Sequence, residues 1–394
     1  MSRESTLNSN IWKFYLYKIF EGMFFAVPII VLFWQDNGLT LTQIMILQSI
    51  FAISVVILEI PTGYFADIFN RKKSIIIGGV TGLVGAIFYS IGHNFLLFAL
   101  AEISFAVAVS FESGAISAFL YDTLKELKKE KEYNKIWGNA LFYSMSAMAF
   151  SNILGGFIGN LNFRYTFYTT IPFFAMMIPL ALSMKEPKKH KITIEKDYLK
   201  TLFVDMKQLL IENKKLRWII IYSSVIFAFN QAALWLYQPY FKISGVNIAY
   251  FGVIFASFHI IAALSSKYAY KIEKKLGQKT SLAILTFLVA ISYFLMSKFV
   301  FVFSFVFCFI QQFIRGFKDV VVNDYINKLT HSNVRATTLS IESFLGKLLY
   351  ASIIPIFGWI ADTYTLTQAL LVISITSFVS GLVILIIFKR YKIL

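Results

Sequence analysis

Between two long apolar runs the chain reads Gly63-Tyr64-Phe65-Ala66-Asp67-Ile68-Phe69-Asn70-Arg71-Lys72-Lys73. This stretch gathers one acid and three bases, whereas the runs on either side, near residues 41–66 and 74–93, are almost entirely apolar. A helix needs about 20 apolar residues to cross roughly 30 Å of hydrocarbon, and both runs meet that length. The stretch is therefore predicted to be a short polar turn between two membrane-spanning helices.

The same apolar pattern recurs along the whole chain of 394 residues. Charged residues make up 15% of the chain, against roughly a quarter in soluble proteins, so too little polar surface exists for a protein surrounded by water. Polar or Gly/Asn-containing gaps separate the apolar segments. The pattern predicts an all-α membrane protein with twelve transmembrane helices, near residues 12–34, 41–66, 74–93, 95–122, 136–159, 163–184, 216–241, 249–270, 280–297, 299–326, 335–361 and 366–388.

A polar, lysine-rich stretch divides these helices into six and six. The predicted domains are an N-terminal six-helix bundle at 1–184, a cytoplasmic linker at 185–215 and a C-terminal six-helix bundle at 216–394. Inside the linker, the apolar residues of 197–210 recur at helical spacing, which predicts an amphipathic helix lying on the membrane surface. The six-plus-six arrangement suggests two half-domains related by duplication.

Lysine and arginine collect in every second loop. The basic loops lie near residues 71–73, 125–135, 185–215, 271–279, 328–335 and 389–392, and the alternate loops are short and nearly free of these residues. Because basic loops stay in the cytoplasm, both termini are expected there, in a cytoplasmic (inner) membrane. The same rule accounts for the net charge of +16 without nucleic acid as a partner.

The stretch from Gly63 to Lys73 resembles the hallmark loop of the major facilitator superfamily, with a Gly, an acid four residues later and a basic cluster. Asn70 replaces the usual Gly and is expected in the left-handed backbone that Asn tolerates. The resemblance implies a transporter of that fold, similar to the bacterial drug and metabolite efflux branches. It also implies a cytoplasmic gate formed by Gly63, Asp67, Arg71 and Lys72, with Asp67 and Arg71 latching the two halves together. The alternative is a loop that is basic only because it faces the cytoplasm.

Three glutamates of the first half are predicted at membrane depth. Glu21 lies in the first helix, and Glu102 and Glu112 share the fourth, about 15 Å apart along the axis and about 80° apart around it, so both can face one cavity. Charged residues inside a membrane are costly and therefore usually functional. A carboxylate in a poorly solvated cavity can load and release a proton, which predicts proton coupling. The alternative is an internal ion pair.

The second half contributes amides and cations instead. The predicted cavity residues there are Asn230, Gln231, Gln311, Arg315, Asp319 and Lys347. Lys347 is expected to hold an anionic group, or else to pair with an acid of a neighbouring helix. Arg315 and Asp319 lie four residues apart and are expected to form a structural ion pair. Two further charges, Lys318 and Glu342, lie in the same apolar segments.

These residues predict a secondary active transporter that moves a small organic molecule by alternating access, with proton-coupled efflux favoured. Two alternatives remain: proton-coupled uptake of a nutrient, metabolite or metal chelate, and a membrane sensor or enzyme. One cysteine and four scattered histidines argue against a metal site. The expected partners are the substrate, protons and the lipid bilayer, the protein is expected to be a monomer, and no cofactor is expected beyond the proton gradient.

Overall fold

The computed structural model describes residues 2–68, 70–188, 213–330 and 334–391, without the side chains of Ile60, Asp67 and Ala336. The regular secondary structure in these ranges is helical. The α-helices are α1 (Arg3–Gly22), α2 (Ile30–Asp36), α3 (Leu41–Ile68), α4 (Arg71–Ile91), α5 (Phe95–Glu112), α6 (Ala115–Glu126), α7 (Tyr133–Leu161), α8 (Phe163–Ser183), α9 (Lys214–Ile243), α10 (Phe251–Lys298), α11 (Cys308–Lys328), α12 (Arg335–Thr363) and α13 (Leu366–Arg390). The amphipathic helix predicted at 197–210 lies outside the described residues.

In the described ranges, nine helical spans are long and apolar enough to cross a membrane. One of them, Ile248–Lys298, holds two predicted segments, and the backbone leaves helical geometry between them at Gly277, where φ is 72°. The predicted first and tenth segments do not qualify, because α1 and α11 carry several charged residues. The nine spans contain ten predicted segments, and the first and tenth segments bring the number to twelve. The fold class is therefore that of a twelve-helix membrane protein.

The polar turn at the centre of the sequence pattern is present. Helix α3 ends at Ile68 and α4 begins at Arg71. Asn70, however, is extended, with φ −175° and ψ 126°, and its side chain accepts a hydrogen bond from the backbone N–H of Lys73 at 3.1 Å. The expected left-handed conformation is wrong, because Asn70 acts as a helix N-cap, which requires extended backbone.

Packing divides the chain into two compact units. Of the described residues, the first unit holds 2–39, 50–68, 70–188 and 248–256, and the second holds 40–49, 213–247, 257–330 and 334–391. By chain order, the segment 40–49 would belong to the first unit and the segment 248–256 to the second. Each of them packs with the other unit instead. The predicted domain boundaries at 184 and 216 follow chain order alone and stay a prediction.

In the first unit, two predicted spans are broken helices. The first consists of α1 and α2, and the second consists of α5 and α6, which are separated at Ser113 and Gly114. Gly114 has φ 73°, a left-handed conformation that glycine adopts without steric cost. The break after α1 exposes backbone groups that two side chains satisfy: the Ser151 hydroxyl donates to the carbonyl of Gly22 at 2.9 Å, and the Thr170 hydroxyl accepts from the N–H of Phe25 at 3.2 Å.

In the second unit, the start of α3 is capped from the end of α12. The carboxylate of Asp362 accepts hydrogen bonds from the backbone N–H of Leu41 at 2.9 Å and of Thr42 at 2.7 Å. Seven residues along α3, the Ser49 hydroxyl donates to the carbonyl of Ala351 at 2.7 Å. These bonds explain why residues 40–49 pack with the second unit.

Replacing Asp362 with alanine removes the acceptor for two N–H groups at the helix end. We expect a loss of about 1–2 kcal/mol in unfolding free energy, the upper range for a lost N-cap. Denaturant unfolding of the purified protein in detergent measures it. The control is Asp36→Ala, which removes a carboxylate from an exposed position and should change stability by less than about 0.5 kcal/mol. Equal effects of the two variants would contradict the capping role.

Candidate functional site

Glu112 lies at the break between α5 and α6. These helices form one span, Phe95–Glu126, and Glu112 ends α5 near the middle of that span. A Cβ placed on Gly78 of α4 would meet the Glu112 Cγ at 2.5 Å and its Oε1 at 2.9 Å, so the carboxylate packs directly against the α4 backbone. The break therefore positions an acidic side chain at membrane depth beside a neighbouring helix.

The carboxyl of Glu112 is bonded to a hydroxyl. The Tyr17 hydroxyl oxygen lies 2.5 Å from Glu112 Oε1 and 3.2 Å from the backbone carbonyl oxygen of Ile75. One hydroxyl proton cannot serve both acceptors fully. If Glu112 is protonated, it donates to Tyr17, and Tyr17 donates to Ile75; if Glu112 is ionised, Tyr17 donates to Glu112. The arrangement therefore suits both protonation states.

The structure brings Glu21 close to this pair. Glu21 forms an ion pair with Lys18 on the same face of α1, and both residues interact electrostatically with Glu112. In the part of the chain that the structure describes, Glu112 has no cation within ion-pair distance. In the cluster of Tyr17, Lys18, Glu21 and Glu112, the Glu21 carboxylate is thus paired with an ammonium, and the Glu112 carboxyl is hydrogen-bonded to a hydroxyl.

Glu102 lies apart from this cluster. It is buried, and it binds the hydroxyl of Tyr89 on α4. The Tyr89 ring packs against Phe98, Phe105 and Phe167, with ring centroids 5.0–5.9 Å apart. Glu102 therefore lies inside a packed aromatic core. Its predicted place in one cavity with Glu112 remains untested.

The hallmark loop is anchored within the first unit. The Arg71 guanidinium donates to the carbonyl of Ala118 at 2.8 Å and pairs with Asp122, both on α6. The Glu186 carboxylate accepts from the backbone N–H groups of Arg71 at 3.2 Å and Lys72 at 3.0 Å, where the helix dipole favours an acid. Sequence reasoning missed Glu186, whose only signal was an acid just after a predicted span.

Of the other gate residues, Lys72 donates from Nζ to the carbonyl of Leu182 at 2.7 Å. Gly63 lies in α3 with open space where a Cβ would be. Asp67 is also in α3, and its side chain is outside the description. The predicted latch between Asp67 and Arg71 therefore stays a prediction.

The predicted amides of the second unit are joined. Asn230 donates from Nδ2 to the side-chain and backbone carbonyl oxygens of Gln311, each at 2.8 Å. Gln311 is fully buried and donates to the carbonyl of Val289 at 3.3 Å. Gln231 and Lys347 are half-buried on α9 and α12. The Asn230–Gln311 bond connects α9 with α11.

A buried ion pair, which sequence reasoning did not assign, connects α11 with α12. Lys318 Nζ lies 3.0 Å from Glu342 Oε1 and 5.4 Å from the centroid of the Phe227 ring. The Ser223 hydroxyl donates to the same carboxylate, and the two charged residues are only 5% and 9% exposed. Both charges were visible in apolar segments, but their pairing depends on how α11 and α12 pack.

The expected Arg315–Asp319 ion pair is not formed in the described part of the chain. The side chain of Asp319 is 61% exposed, and its Oδ1 lies 3.6 Å from Lys318 Nζ. Arg315 is half-buried, and its neighbours in electrostatic range include Tyr237, His259 and Asp319. The spacing of four residues permitted the pair, but Asp319 points to the more exposed side of α11.

Charged and amide side chains held inside membrane-spanning helices are typical of membrane transporters, in which such groups line the paths of ions and substrates through the bilayer. The sequence profile of the Major Facilitator Superfamily matches residues 19–347, and the chain belongs to that family. The predicted family, the fold class and the assignment as a transporter rather than an enzyme are thereby confirmed.

Several known proteins are similar to this chain. The uncharacterized MFS-type transporter YxaM of Bacillus subtilis (strain 168) is 23% identical over 375 residues, which cover 92% of each chain. The quinolone resistance protein NorA of Staphylococcus aureus (strain N315) is 24% identical over 192 residues, 46% of this chain and 47% of NorA. The nucleoside transporter NupG shares the fold, with a TM-score of 0.76 at 14% identity over 99% of this chain and 100% of NupG.

The Lys318–Glu342 pair predicts a large, non-additive effect on stability. Glu342→Gln removes the buried counter-charge of Lys318 and leaves only the exposed Asp319 carboxylate, 3.6 Å away, so we expect a cost of about 3 kcal/mol. Neutralising both residues, as Lys318→Met with Glu342→Gln, should recover more than half of that loss. Denaturant unfolding in detergent measures each variant.

The exposed pair of Lys328 with Asp324 on α11 supplies the matched control. Its side chains are 66% and 50% exposed, so Asp324→Asn should cost less than about 1 kcal/mol. The buried pair would lose its assigned role if Glu342→Gln cost no more than this exposed neutralisation.

Proposed function

We propose that the protein exports a small organic molecule across the bacterial cytoplasmic (inner) membrane in exchange for protons, by alternating access. One observation carries this proposal. Glu112, at mid-membrane depth, is bonded to the Tyr17 hydroxyl and has no cation at ion-pair distance within the described residues. The Tyr17 hydroxyl can accept from the neutral carboxyl and donate to the carboxylate, so it serves Glu112 in both protonation states.

Alternating access turns this site into a proton carrier. Exposed to the outside, Glu112 binds a proton from the more acidic compartment, and exposed to the cytoplasm, it releases the proton. Glu21 contributes by electrostatics, since a second carboxylate nearby makes simultaneous ionisation of both less favourable. Protonation of Glu112 would therefore couple to the movement of substrate in the opposite direction.

Export is favoured over uptake by the likeness to a drug-resistance protein. NorA is a quinolone resistance protein, and the likeness to it supports the export of small aromatic compounds. The alternative, proton-coupled uptake of a nutrient, metabolite or metal chelate, uses the same fold with the opposite net direction. We propose further that the protein works as a monomer, with no cofactor and the proton gradient as its energy source.

Inverted membrane vesicles with an acidic lumen test the direction. Ethidium, a fluorescent lipophilic cation, and norfloxacin, a quinolone, serve as probes. An exporter accumulates at least one of them in the lumen when the pH gradient is imposed, and the accumulation collapses when a protonophore removes the gradient. Proton-driven movement out of the vesicles would instead support uptake.

Glu112→Gln tests the coupling residue. We expect it to abolish the gradient-driven component, because glutamine cannot carry a proton, while exchange of labelled for unlabelled probe without a gradient persists. Glu130→Gln is the control, since Glu130 is exposed in the short helix between α6 and α7. If Glu112→Gln still concentrates the probe in response to pH, Glu112 is not the coupling residue.

The cytoplasmic position of both termini is also part of the proposal and follows from the basic loops. In a Cys308→Ser background, Lys131→Cys and Asp36→Cys place thiols at two exposed positions, one in a basic and one in an alternate loop. A membrane-impermeant maleimide should label Asp36→Cys only in right-side-out vesicles and Lys131→Cys only in inverted ones. The reverse pattern would place the termini outside.

A further inference from the structure

Arg315 is a cation without an ion pair among the described residues, and Asp319 acts on it only from electrostatic range. It lies near the middle of the predicted span 299–326, and its side chain is half-buried. Among the described residues, no acceptor lies within hydrogen-bond or ion-pair distance of its guanidinium; the nearby ion pairs join Lys318 to Glu342 and Asp319. A guanidinium at that depth stays charged and needs a partner.

A second group beside Arg315 is also incomplete. Gln312, three residues earlier on α11 and 4% exposed, donates from Nε2 to the Tyr237 hydroxyl at 3.2 Å. Its Oε1 is buried without a hydrogen-bond partner in the described part of the chain. A spacing of three residues puts Gln312 and Arg315 on neighbouring positions of one helix face. Arg315 therefore lies on a face that also carries a polar atom lacking its usual partner.

The surroundings of Arg315 combine polar and aromatic groups. Tyr237 of α9 and His259 of α10 interact electrostatically with Arg315. The Tyr237 ring packs on Phe258 with centroids 5.1 Å apart, and Phe258 packs on Phe309 at 5.7 Å. Tyr237 therefore connects the surroundings of Arg315 to an aromatic cluster of Tyr237, Phe258 and Phe309, of which Phe309 is the half-buried member.

We propose that Arg315, with Gln312 and Tyr237, binds the carboxylate of an aromatic organic acid in the second unit. A guanidinium fork matches the two oxygens of a carboxylate, and the buried Oε1 of Gln312 can accept from a hydroxyl or amide N–H beside that carboxylate. Because a single free cation balances a single negative charge, a monoanion fits better than a phosphate dianion. Phe309, the half-buried member of the aromatic cluster, receives the ring. The proposal deepens the transport function above and rests on it for its physiological meaning.

Equilibrium binding to the full-length protein in detergent tests the site, with 2-naphthoate, 2-naphthamide and 2-naphthyl phosphate as probes. The wild-type protein should bind naphthoate at least about tenfold more tightly than the amide, as a charge-assisted hydrogen bond provides. This comparison needs no variant. Equal affinity for acid and amide would overturn the proposal, and tighter binding of the phosphate would reject the monoanion assignment.

Variants then locate the interaction. Arg315→Gln should weaken naphthoate binding about tenfold or more and leave naphthamide within about twofold, and Arg315→Lys should retain part of the naphthoate affinity, because an ammonium keeps the charge but not the fork. Arg390→Gln, at an exposed position near the end of α13, is the control and should match the wild type. Unchanged naphthoate binding in Arg315→Gln, or equal losses for both probes, would refute the site. Binding requires no proton gradient, so a failure of the exporter proposal would not alter these outcomes.

Discussion

Hydrocarbon offers neither donors nor acceptors of hydrogen bonds, so backbone groups at membrane depth must find their partners inside the protein, and a polar side chain left without one is costly. The broken first span meets this requirement in an instructive way. Where α1 ends, the carbonyl of Gly22 and the N–H of Phe25 lose their helical partners, and the hydroxyls of Ser151 and Thr170 replace them. Breaks of this kind are stable only where neighbouring helices supply polar side chains, and they create the irregular positions beside which Glu21 and Glu112 lie.

The same constraint explains why the buried charges have different partners. Glu342 neutralises Lys318 at 3.0 Å and accepts from Ser223, which makes that pair a fixed structural element. Glu112 instead shares a hydrogen bond with a neutral hydroxyl, which can serve the carboxyl in either protonation state. Arg315 has no ion pair among the described residues and is suited to an anion from outside the protein. Desolvation thus favours a fixed pair at Lys318, a hydroxyl partner at Glu112 and an external partner at Arg315.

The fold alone does not decide which molecule is moved. NupG shares this fold at 14% identity, and one fold can serve many substrates because specificity resides in a few side chains. The acidic cluster of the first unit and the Arg315 face of the second unit are therefore more informative about substrate and coupling than the arrangement of the helices. Both depend on single side chains, which explains why proteins so similar in backbone can differ in what they transport.

The sequence by itself determined the twelve segments, the polar turn between the second and third of them, and the family, because apolar run length and a contiguous motif are local properties. It also marked Glu112, Arg315, Lys318 and Glu342 as costly charges. Only the tertiary structure decided their partners, since Tyr17 and Glu112 are 95 positions apart and Lys318 and Glu342 are 24 apart. The spacing of Arg315 and Asp319 on one helix predicted an ion pair between them. The ion pair that the structure forms, between Lys318 and Glu342, depends on the packing of α11 against α12. Hydrogen bonds are short-ranged and directional, so the chain's three-dimensional path, rather than its local pattern, selects which polar groups meet.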